Sequence, residues 1–417
     1  MSSKIGVCIV GSNGAVATTM IAGVALMKKG LSPRRGMITE GKLGQMLDLA
    51  SLDKMVFAGW DLRADNAYEA ALSHDVIQRH QLDQVKEELT AFTPWPATAS
   101  SKFLHTMAGK NLVVAKNARE EIEILEKNLT TFKAQHHLDS VVMVNLTSTE
   151  KFCELSDVHM TIESFERGLD NNDERISPSM KYLYAACKTG TPHVNFTPSL
   201  SKIPALEMLA EKCGVPIAGE DGKTGQTLLK TVLAPMFVAR ELKVDGWYST
   251  NILGNNDGLV LNDPESNKTK VTSKSKVLDS ILGYKVEDHQ VHIHYYKPRG
   301  DAKEAWDNID VSGFLGERMQ IKVNFLCKDS ILAAPLALDL VRLVDYAKRV
   351  GEKGIQRQLS MFFKAPYHTE GEQPVHHFFE QNTMLMNWAE STLKIPSSRS
   401  KAASHLTHSD LNSQNFV

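Results

Sequence analysis

The feature that most constrains the fold is a regular alternation of short apolar runs with amphipathic segments over the first half of the chain. Short apolar runs predict buried strands, and segments with helical periodicity predict helices. Strands are predicted at Ile5–Val10, Lys54–Gly59, Ser140–Leu146, His193–Phe196 and Val215–Ala218. Helices are predicted at Ala15–Lys29, Ala67–Arg79, Gln81–Leu89, Ala118–Thr131, Met180–Lys188, Ile203–Lys212 and Gly225–Leu242. Such alternation is typical of an α/β fold, a Rossmann-type parallel sheet that binds ligands at the carboxyl ends of its strands.

The pattern changes after the helix predicted to end at Leu242. Strand-like segments now follow one another with few helices between them, at Gly246–Leu253, Val286–Tyr296 and Arg318–Cys327, before helix returns at Ala333–Val350. This predicts an inserted α+β domain with a mainly antiparallel sheet. We therefore expect a parallel-sheet domain over 1–226, an inserted domain over 227–331, a return to the first domain over 332–396, and a mobile polar tail over 397–417.

Composition excludes several classes of protein. The 417 residues suffice for two or three domains, and a net charge of −2 predicts neither a nucleic-acid nor a membrane partner. No apolar stretch approaches the roughly 20 residues of a membrane span. The cysteines are scattered and odd in number, which indicates buried, reduced thiols in a cytoplasmic protein. They are Cys8, Cys153, Cys187, Cys213 and Cys327.

A glycine turn, Gly11-Ser12-Asn13-Gly14, separates the first strand from the first helix, which starts at Ala15. Such a turn lets a pyrophosphate approach the backbone at the helix N-terminus. Ile9 replaces the first glycine of the usual G-x-G-x-x-G pattern, so both dinucleotide binding and a plain tight turn stay open. The acidic partner of a ribose could be Glu40, which the spacing favours, or Asp61, which follows the second strand directly.

A second motif, residues 220–226, follows a strand and opens a long helix. Lys223, the Thr224 hydroxyl and free backbone N–H groups would suit a phosphate there. A Walker A reading fails because Ile217 stands where that motif requires glycine. The alternative is an ordinary helix start capped by Asp221 or Thr224.

A third motif is the polar block Gly254–Gly258, which contains two asparagines and an aspartate. A turn explains its Asn-Asp-Gly end but not the whole block, and the spacing does not fit a calcium loop. Two lysines, Lys270 and Lys274, follow this block. A basic loop comes later at Lys297–Lys303, and a further lysine, Lys364, has apolar neighbours. A desolvated lysine has a lowered pKa and can act as a base or polarise a carbonyl. A surface charge is the alternative for each.

In this order the blocks resemble the myo-inositol-1-phosphate synthase family. The matching strings are Phe57–Asp61, Asp221–Thr227, Leu253–Gly258, Lys297–Lys303, Lys328–Pro335 and Lys364–Pro366. The resemblance implies conversion of glucose 6-phosphate to 1L-myo-inositol 1-phosphate with NAD that is reduced and then reoxidised in place. C5 is oxidised, C6 loses a proton and attacks C1, and the ketone is reduced again. Such chemistry needs a phosphate anchor and cations that stabilise an enolate and an alkoxide.

The resemblance also implies roles for individual residues. The catalytic group would be Lys270, Lys303, Lys364, Asp221 and Asp257. The substrate phosphate would be held by Thr224, Gly225, Gln226, Asn255 and Lys274. The cofactor would be bound by Gly11, Ser12, Asn13, Gly14, Ala15, Asp61, Thr147, Asp221, Asn256, Asp301 and Asp329. Here the resemblance favours Asp61 over Glu40 for the ribose, and it gives Lys270 the C6 proton transfer.

The family further implies a homotetramer built through the second sheet. Some members use a divalent metal and others a monovalent cation. No protein-bound metal site is predicted, and His289, His292 and His294 are interpreted as strand residues. The chain departs from the family pattern in its short glycine turn, in Thr224 for a serine and in Gly222 for a phenylalanine. Two alternatives therefore stay open: a related NAD-dependent enzyme acting on another sugar phosphate, such as a net dehydrogenase, and a non-catalytic NAD-binding protein.

Overall fold

A computed structural model describes residues 3–104, 109–255 and 277–393. The strands are β1 Ile5–Val10, β2 Met55–Asp61, β3 Trp95–Pro96, β4 Ser140–Asn145, β5 His193–Asn195, β6 Pro216–Gly219, β7 Lys243–Leu253, β8 Asp288–Tyr295, β9 Ala302–Ser312, β10 Arg318–Lys328 and β11 Gly354–Ile355. The helices are α1 Ala15–Lys28, α2 Lys42–Met46, α3 Ala67–His74, α4 Arg79–Asp83, α5 Lys86–Thr90, α6 Ala118–Gln135, α7 Ile162–Asp170, α8 Pro178–Lys188, α9 Pro204–Lys212, α10 Gln226–Ala239, α11 Asp329–Arg349 and α12 Phe378–Leu393.

The first sheet has seven parallel strands in the order β11-β6-β5-β4-β1-β2-β3. The predicted α/β fold with a Rossmann-type sheet is therefore confirmed. The two outermost strands, β3 and β11, were not predicted because two residues carry too little pattern to be recognised. The helical stretch after Ala67 is broken into three short helices, since Asp75 ends α3 with a φ of +52°.

The second sheet has four strands in the order β10-β9-β7-β8. The β7–β9 and β9–β10 pairs are antiparallel and the β7–β8 pair is parallel, so the prediction of a mainly antiparallel sheet is confirmed. Strand β9 was not predicted. Its inward positions alternate as Ala305, Asp307, Ile309 and Val311, all buried, and the buried aspartate disguises the apolar period of the strand.

Helix α11 begins directly after β10 and returns to the first sheet, where Ala337, Val341 and Val344 join the same apolar core as Val7 and Ile9.

The domain limits suggested by the sequence remain a prediction. No helix among the described residues is long and apolar enough to cross a membrane. The expected burial of cysteines is confirmed for Cys8 and Cys187, whereas Cys153, Cys213 and Cys327 are partly exposed, so the expectation is wrong for these three.

Candidate active site

The turn between β1 and α1 brings backbone N–H groups to the carboxyl edge of the parallel sheet. Gly11 has a φ of +83°. Its N–H and that of Ser12 donate to the carbonyl of Trp60 at 2.9 and 3.1 Å. A Cβ at position 11 would lie 3.1 Å from the Leu146 carbonyl. Ser12 Oγ and Asn13 Oδ1 are buried without a hydrogen-bond partner among the described residues. A glycine cradle with an unsatisfied serine hydroxyl, which can donate, fits the pyrophosphate of a dinucleotide.

The two acidic candidates for the ribose lie in different surroundings. Asp61, the last residue of β2, accepts the Asn13 N–H at 2.8 Å and the Arg63 N–H at 2.9 Å, beside the glycine turn. Burial raises the pKa of its carboxyl, and the two backbone donors oppose that effect. Glu40 instead binds the guanidinium of Arg342 on α11 at 2.6 Å. The structure therefore brings Asp61, and not Glu40, to the turn.

The other predicted cofactor residues of this edge are arranged around the same turn. Gly14 precedes α1 without a side-chain cap, and Ala15 is the first residue of the helix. The backbone N–H and the hydroxyl of Thr147 donate to Asn145 Oδ1 at 3.1 and 2.8 Å. The Thr147 backbone also lies 3.1 Å from a Cβ built at Gly11, so the segment after β4 borders the cradle directly.

A second group of side chains lies where residues 219–223 run beside residues 362–367. Backbone hydrogen bonds join the two segments, among them Lys364 N–H to the Asp221 carbonyl at 2.7 Å. The side chains of the same two residues form an ion pair, with Lys364 Nζ 2.7 Å from Asp221 Oδ1. Lys364 is thus a paired ammonium, and its apolar neighbours Leu359 and Phe362 are buried in the core.

A second lysine–carboxylate pair extends this group. Lys303 Nζ lies 3.4 Å from Asp329 Oδ1, which also accepts the Thr224 hydroxyl at 2.9 Å. Burial opposes the charge of Lys303, but the Asp329 carboxylate outweighs it and holds the lysine pKa above its ordinary value. Burial likewise acts to raise the pKa of Asp329, but Lys303 and Lys364 bring it below its usual range. We call Lys303, Lys364, Asp221 and Asp329 the charge cluster.

Asp301 and Asn255 meet beside the charge cluster. Asp301 accepts the Ser330 hydroxyl at 2.8 Å and the Ser330 N–H at 3.1 Å, so it fixes the first turn of α11. Asn255 Nδ2 donates to Asp301 Oδ1 at 3.3 Å. Burial raises the pKa of Asp301, opposed by the Ser330 hydrogen bonds. The end of β7, the start of β9 and the start of α11 therefore converge here.

The start of α10 differs from one alternative drawn from the sequence. The helix begins at Gln226 with Gly225 as its N-cap, and a glycine has no side chain that could cap it. The alternative of a cap by Asp221 or Thr224 is wrong, because both side chains are engaged in the charge cluster instead. A helix N-terminus that begins after a glycine, with no side-chain cap from its N-cap residue, suits an anion.

The side chain of Gln226 is buried and held at both polar atoms. Its Nε2 donates to Asp307 Oδ1 at 3.2 Å, and its Oε1 accepts Asn251 Nδ2 at 2.9 Å.

Of the site residues predicted from the sequence, four lie outside the described residues, as does the polar tail at 397–417. These four are Asn256, Asp257, Lys270 and Lys274.

Two residues of the motif at 220–226 have surroundings that the sequence does not predict. Lys223 was expected near a phosphate, but it is buried and donates to Gln381 Oε1 of α12 at 2.6 Å. Burial lowers its pKa to about 7. Glu220 was given no role by the sequence, yet it lines a cavity of about 1050 Å³ together with Lys364 and Tyr367. Burial, reinforced by Asp221, raises the pKa of Glu220 to about 8, which only the three-dimensional packing reveals.

The glycine at position 222 is explained by a neighbouring ring. A Cβ there would lie 2.2 Å from the ring of Phe196, which occupies the space that a larger residue would need. Any side chain larger than hydrogen at position 222 would require Phe196 to move. The three histidines of the second sheet lie on β8, as expected of strand residues, and His289 Nε2 is 2.7 Å from Lys230 Nζ.

A glycine cradle, an aspartate at the end of the second strand and a cluster of lysines with carboxylates define the class: an NAD-binding α/β enzyme. The family model described as "Myo-inositol-1-phosphate synthase" matches residues 5–390. Inositol-3-phosphate synthase 1 of Bacteroides thetaiotaomicron is 46% identical over 404 residues, covering 92% of this chain and 94% of that protein. The chain belongs to the myo-inositol-1-phosphate synthase family.

More distant relatives agree with this assignment. Inositol-3-phosphate synthase of Saccharomyces cerevisiae is 28% identical, covering 94% of this chain and 86% of that protein. The crystal structure of inositol-3-phosphate synthase from Caenorhabditis elegans superimposes with a TM-score of 0.88 at 24% identity, covering all (100%) of this chain and 90% of that chain. At this identity the structural likeness shows the fold.

Proposed function

We propose that the chain converts glucose 6-phosphate to 1L-myo-inositol 1-phosphate with NAD as a catalytic cofactor. The charge cluster carries the proposal, because two ammonium groups, each paired with its own carboxylate, lie beside an uncapped helix start. A plain NAD-binding protein has no need of such an arrangement. Family membership supports the same activity.

The chain's own residues would divide the work as follows. Thr224, Gly225 and Gln226 would hold the substrate phosphate at the start of α10, with Asn255 beside them and Lys274 as a further cation. Bound NAD would supply oxidation at C5 and the final reduction.

Lys303 and Lys364 would face the oxygens on C5 and C1. The raised pKa of Lys303 keeps it charged at neutral pH, which suits it to stabilise negative charge that develops on an oxygen. Asp221 and Asp329 would fix the positions of the two lysines. Lys270 would transfer the C6 proton, with Asp257 beside it.

The cofactor would lie along the carboxyl edge of the first sheet. The close backbone approach at Gly11 and the unsatisfied Ser12 hydroxyl would receive a pyrophosphate at the start of α1. Asp61 would accept a ribose hydroxyl. The nicotinamide end would approach the charge cluster, where Asp301 and Asp329 meet at the start of α11. Thr147 and Asn256 would be further contacts of the cofactor.

A homotetramer is the proposed assembly. The outer face of the second sheet exposes Tyr248, Trp306 and Leu326, and light scattering after gel filtration tests whether it is covered by another copy.

We also propose a cytoplasmic location, which the free thiols support. Assays with a chelator and with different monovalent salts test the requirement for a cation.

The activity is tested by incubating the full chain with glucose 6-phosphate and NAD. NMR follows the product and absorbance follows NADH. A cyclitol phosphate without net NADH is the expected result. NADH that accumulates in proportion to substrate would instead indicate a net dehydrogenase, and the absence of any cyclitol phosphate contradicts the proposal.

A further inference from the structure

A polar network is buried between α10 and the second sheet, directly behind the proposed phosphate anchor. Asp307 on β9 is only 1% exposed. Its Oδ1 accepts Trp247 Nε1 at 2.8 Å and the Ser249 hydroxyl at 2.6 Å. Both its oxygens also accept Gln226 Nε2, at 3.2 and 3.4 Å. Three side chains from two elements thus converge on one carboxylate.

A buried carboxylate is a costly choice for this position. The same interface is apolar elsewhere, where Phe237 of α10 packs with Ile309 and Val311. Replacing buried charges by apolar groups of similar volume is often neutral or stabilising. Lys230, buried in the same interface, interacts electrostatically with Asp307 and offsets part of this cost. That charge does not account for the hydrogen bonds between the carboxylate and Gln226.

The network determines the orientation of one residue above all. Gln226 Oε1 accepts Asn251 Nδ2 at 2.9 Å, while its Nε2 is bound to Asp307. With both ends of the amide held by the sheet, the side chain is not free to turn toward a ligand. What Gln226 can offer a phosphate is its backbone N–H, at the first position of α10.

The two strands whose side chains hydrogen-bond to Gln226 also carry other parts of the proposed site. Strand β9 bears Lys303 four positions before Asp307, on the same face. Strand β7 bears Asn251, and Asn255 follows its end at Leu253. The network thus joins the phosphate anchor rigidly to the strands that present a charged lysine. Since the phosphate of the substrate is attached to C6, a displaced anchor displaces the reacting carbons.

We propose that Asp307 and Asn251 are positioning residues that fix the start of α10, through Gln226, for binding the 6-phosphate group. The inference rests on the proposed phosphate site. Sorbitol 6-phosphate is a suitable probe, because it keeps the phosphate and cannot cyclise without a C1 carbonyl.

The first test compares Asn251→Ala with Thr231→Val. Both residues are buried, but only Asn251 contacts Gln226, whereas the Thr231 hydroxyl donates to the Leu228 carbonyl within α10. We expect Asn251→Ala to raise the Kd of sorbitol 6-phosphate about tenfold, as loss of a buried hydrogen bond would, with the Kd of NAD unchanged. Thr231→Val should leave both constants within about twofold. Equal effects of the two variants on both ligands would overturn the proposal.

The second test exchanges the partners of the central contact. Asp307→Asn removes the charge and turns one of the two oxygens that accept Gln226 Nε2 into an NH2 donor, and we expect a rise in the Kd of sorbitol 6-phosphate of about tenfold to a hundredfold. Adding Gln226→Glu restores a donor opposite a carboxylate and should recover most of that loss. Recovery of folding without recovery of phosphate affinity would show a merely structural role.

The two proposals fail in different ways. If the wild-type chain does not bind sorbitol 6-phosphate, the proposed phosphate site is wrong, and the inference fails with it. If the wild-type chain binds the probe and Asp307→Asn binds it equally well, only the inference is overturned.

Discussion

Lys364 and Asp221 are joined twice, once through a backbone hydrogen bond and once through an ion pair, each at 2.7 Å. Residues 143 positions apart are thereby held as one unit. The loop at 219–223 and the segment at 362–367 cannot move independently while both contacts persist. This pair therefore fixes the position of one ammonium group relative to the start of α10.

Replacing Lys364 by methionine tests the charge cluster. The variant keeps the volume and removes the charge, so we expect kcat to fall about 10²- to 10³-fold, comparable to loss of one group that stabilises an oxyanion. Product formation followed by NMR measures the effect. Lys353→Met is the matched control, because Lys353 is an exposed lysine paired with Glu211 and should leave kcat unchanged. Equal losses in the two variants would remove Lys364 from the mechanism.

Asp329→Asn tests how the second pair sets the charge of Lys303. The Asp329 carboxylate holds the pKa of Lys303 above its ordinary value, so its removal lowers that pKa. Lys303 then loses its proton at lower pH, and the basic limb of the kcat–pH profile should move toward neutrality. A lower kcat with an unchanged basic limb would contradict the assignment of that limb to Lys303.

The choice between Asp61 and Glu40 is tested by a pair of charge-neutralising variants. Asp61→Asn should raise the KM for NAD about tenfold, because a ribose hydroxyl loses a charged acceptor. Glu40→Gln should leave that KM unchanged and lower the free energy of unfolding, since it weakens a largely buried ion pair with Arg342. A rise in the KM for NAD in Glu40→Gln alone would reverse the assignment.

His193 is expected to make the fold sensitive to acid. Both ring nitrogens are buried without a partner among the described residues, and burial lowers the pKa of the ring to about 3. The unfolded state takes up this proton below about pH 6.5, so stability falls as the pH decreases from there toward 3. At pH 5 the free energy of unfolding is lower by about 2 kcal/mol than at neutral pH because of this one proton.

A His193→Leu variant should lose this part of the acid sensitivity. Denaturant unfolding of both proteins at several pH values measures it. Parallel stability–pH curves for the two proteins would show that His193 contributes nothing.

The sequence predicts the parallel sheet well because its strands are continuous apolar runs. Strand β9 is missed because Asp307 occupies an inward position, where the period-two pattern requires an apolar residue. The same residue shows what local patterns cannot give. The partners of Asp307 come from α10 and β7, and such contacts depend on tertiary packing.

The candidate site shows the same division. The residue types of the charge cluster are visible as motifs, but the pairing of Lys364 with Asp221 and of Lys303 with Asp329 is not. For Lys223 the local motif predicts the wrong partner. Its place beside Thr224 suggests a phosphate ligand, whereas the backbone directs it into the core toward Gln381.

The most direct test of the account is the fate of the hydrogen on C5. Glucose 6-phosphate deuterated at C5 is incubated with the full chain and NAD, and the product is examined by NMR and mass spectrometry. If oxidation and reduction occur in one site, the cyclitol phosphate keeps its deuterium at the carbon derived from C5, and no net NADH appears. A product that has lost the deuterium to the nicotinamide pool, or deuterated NADH without a cyclitol phosphate, would contradict the account.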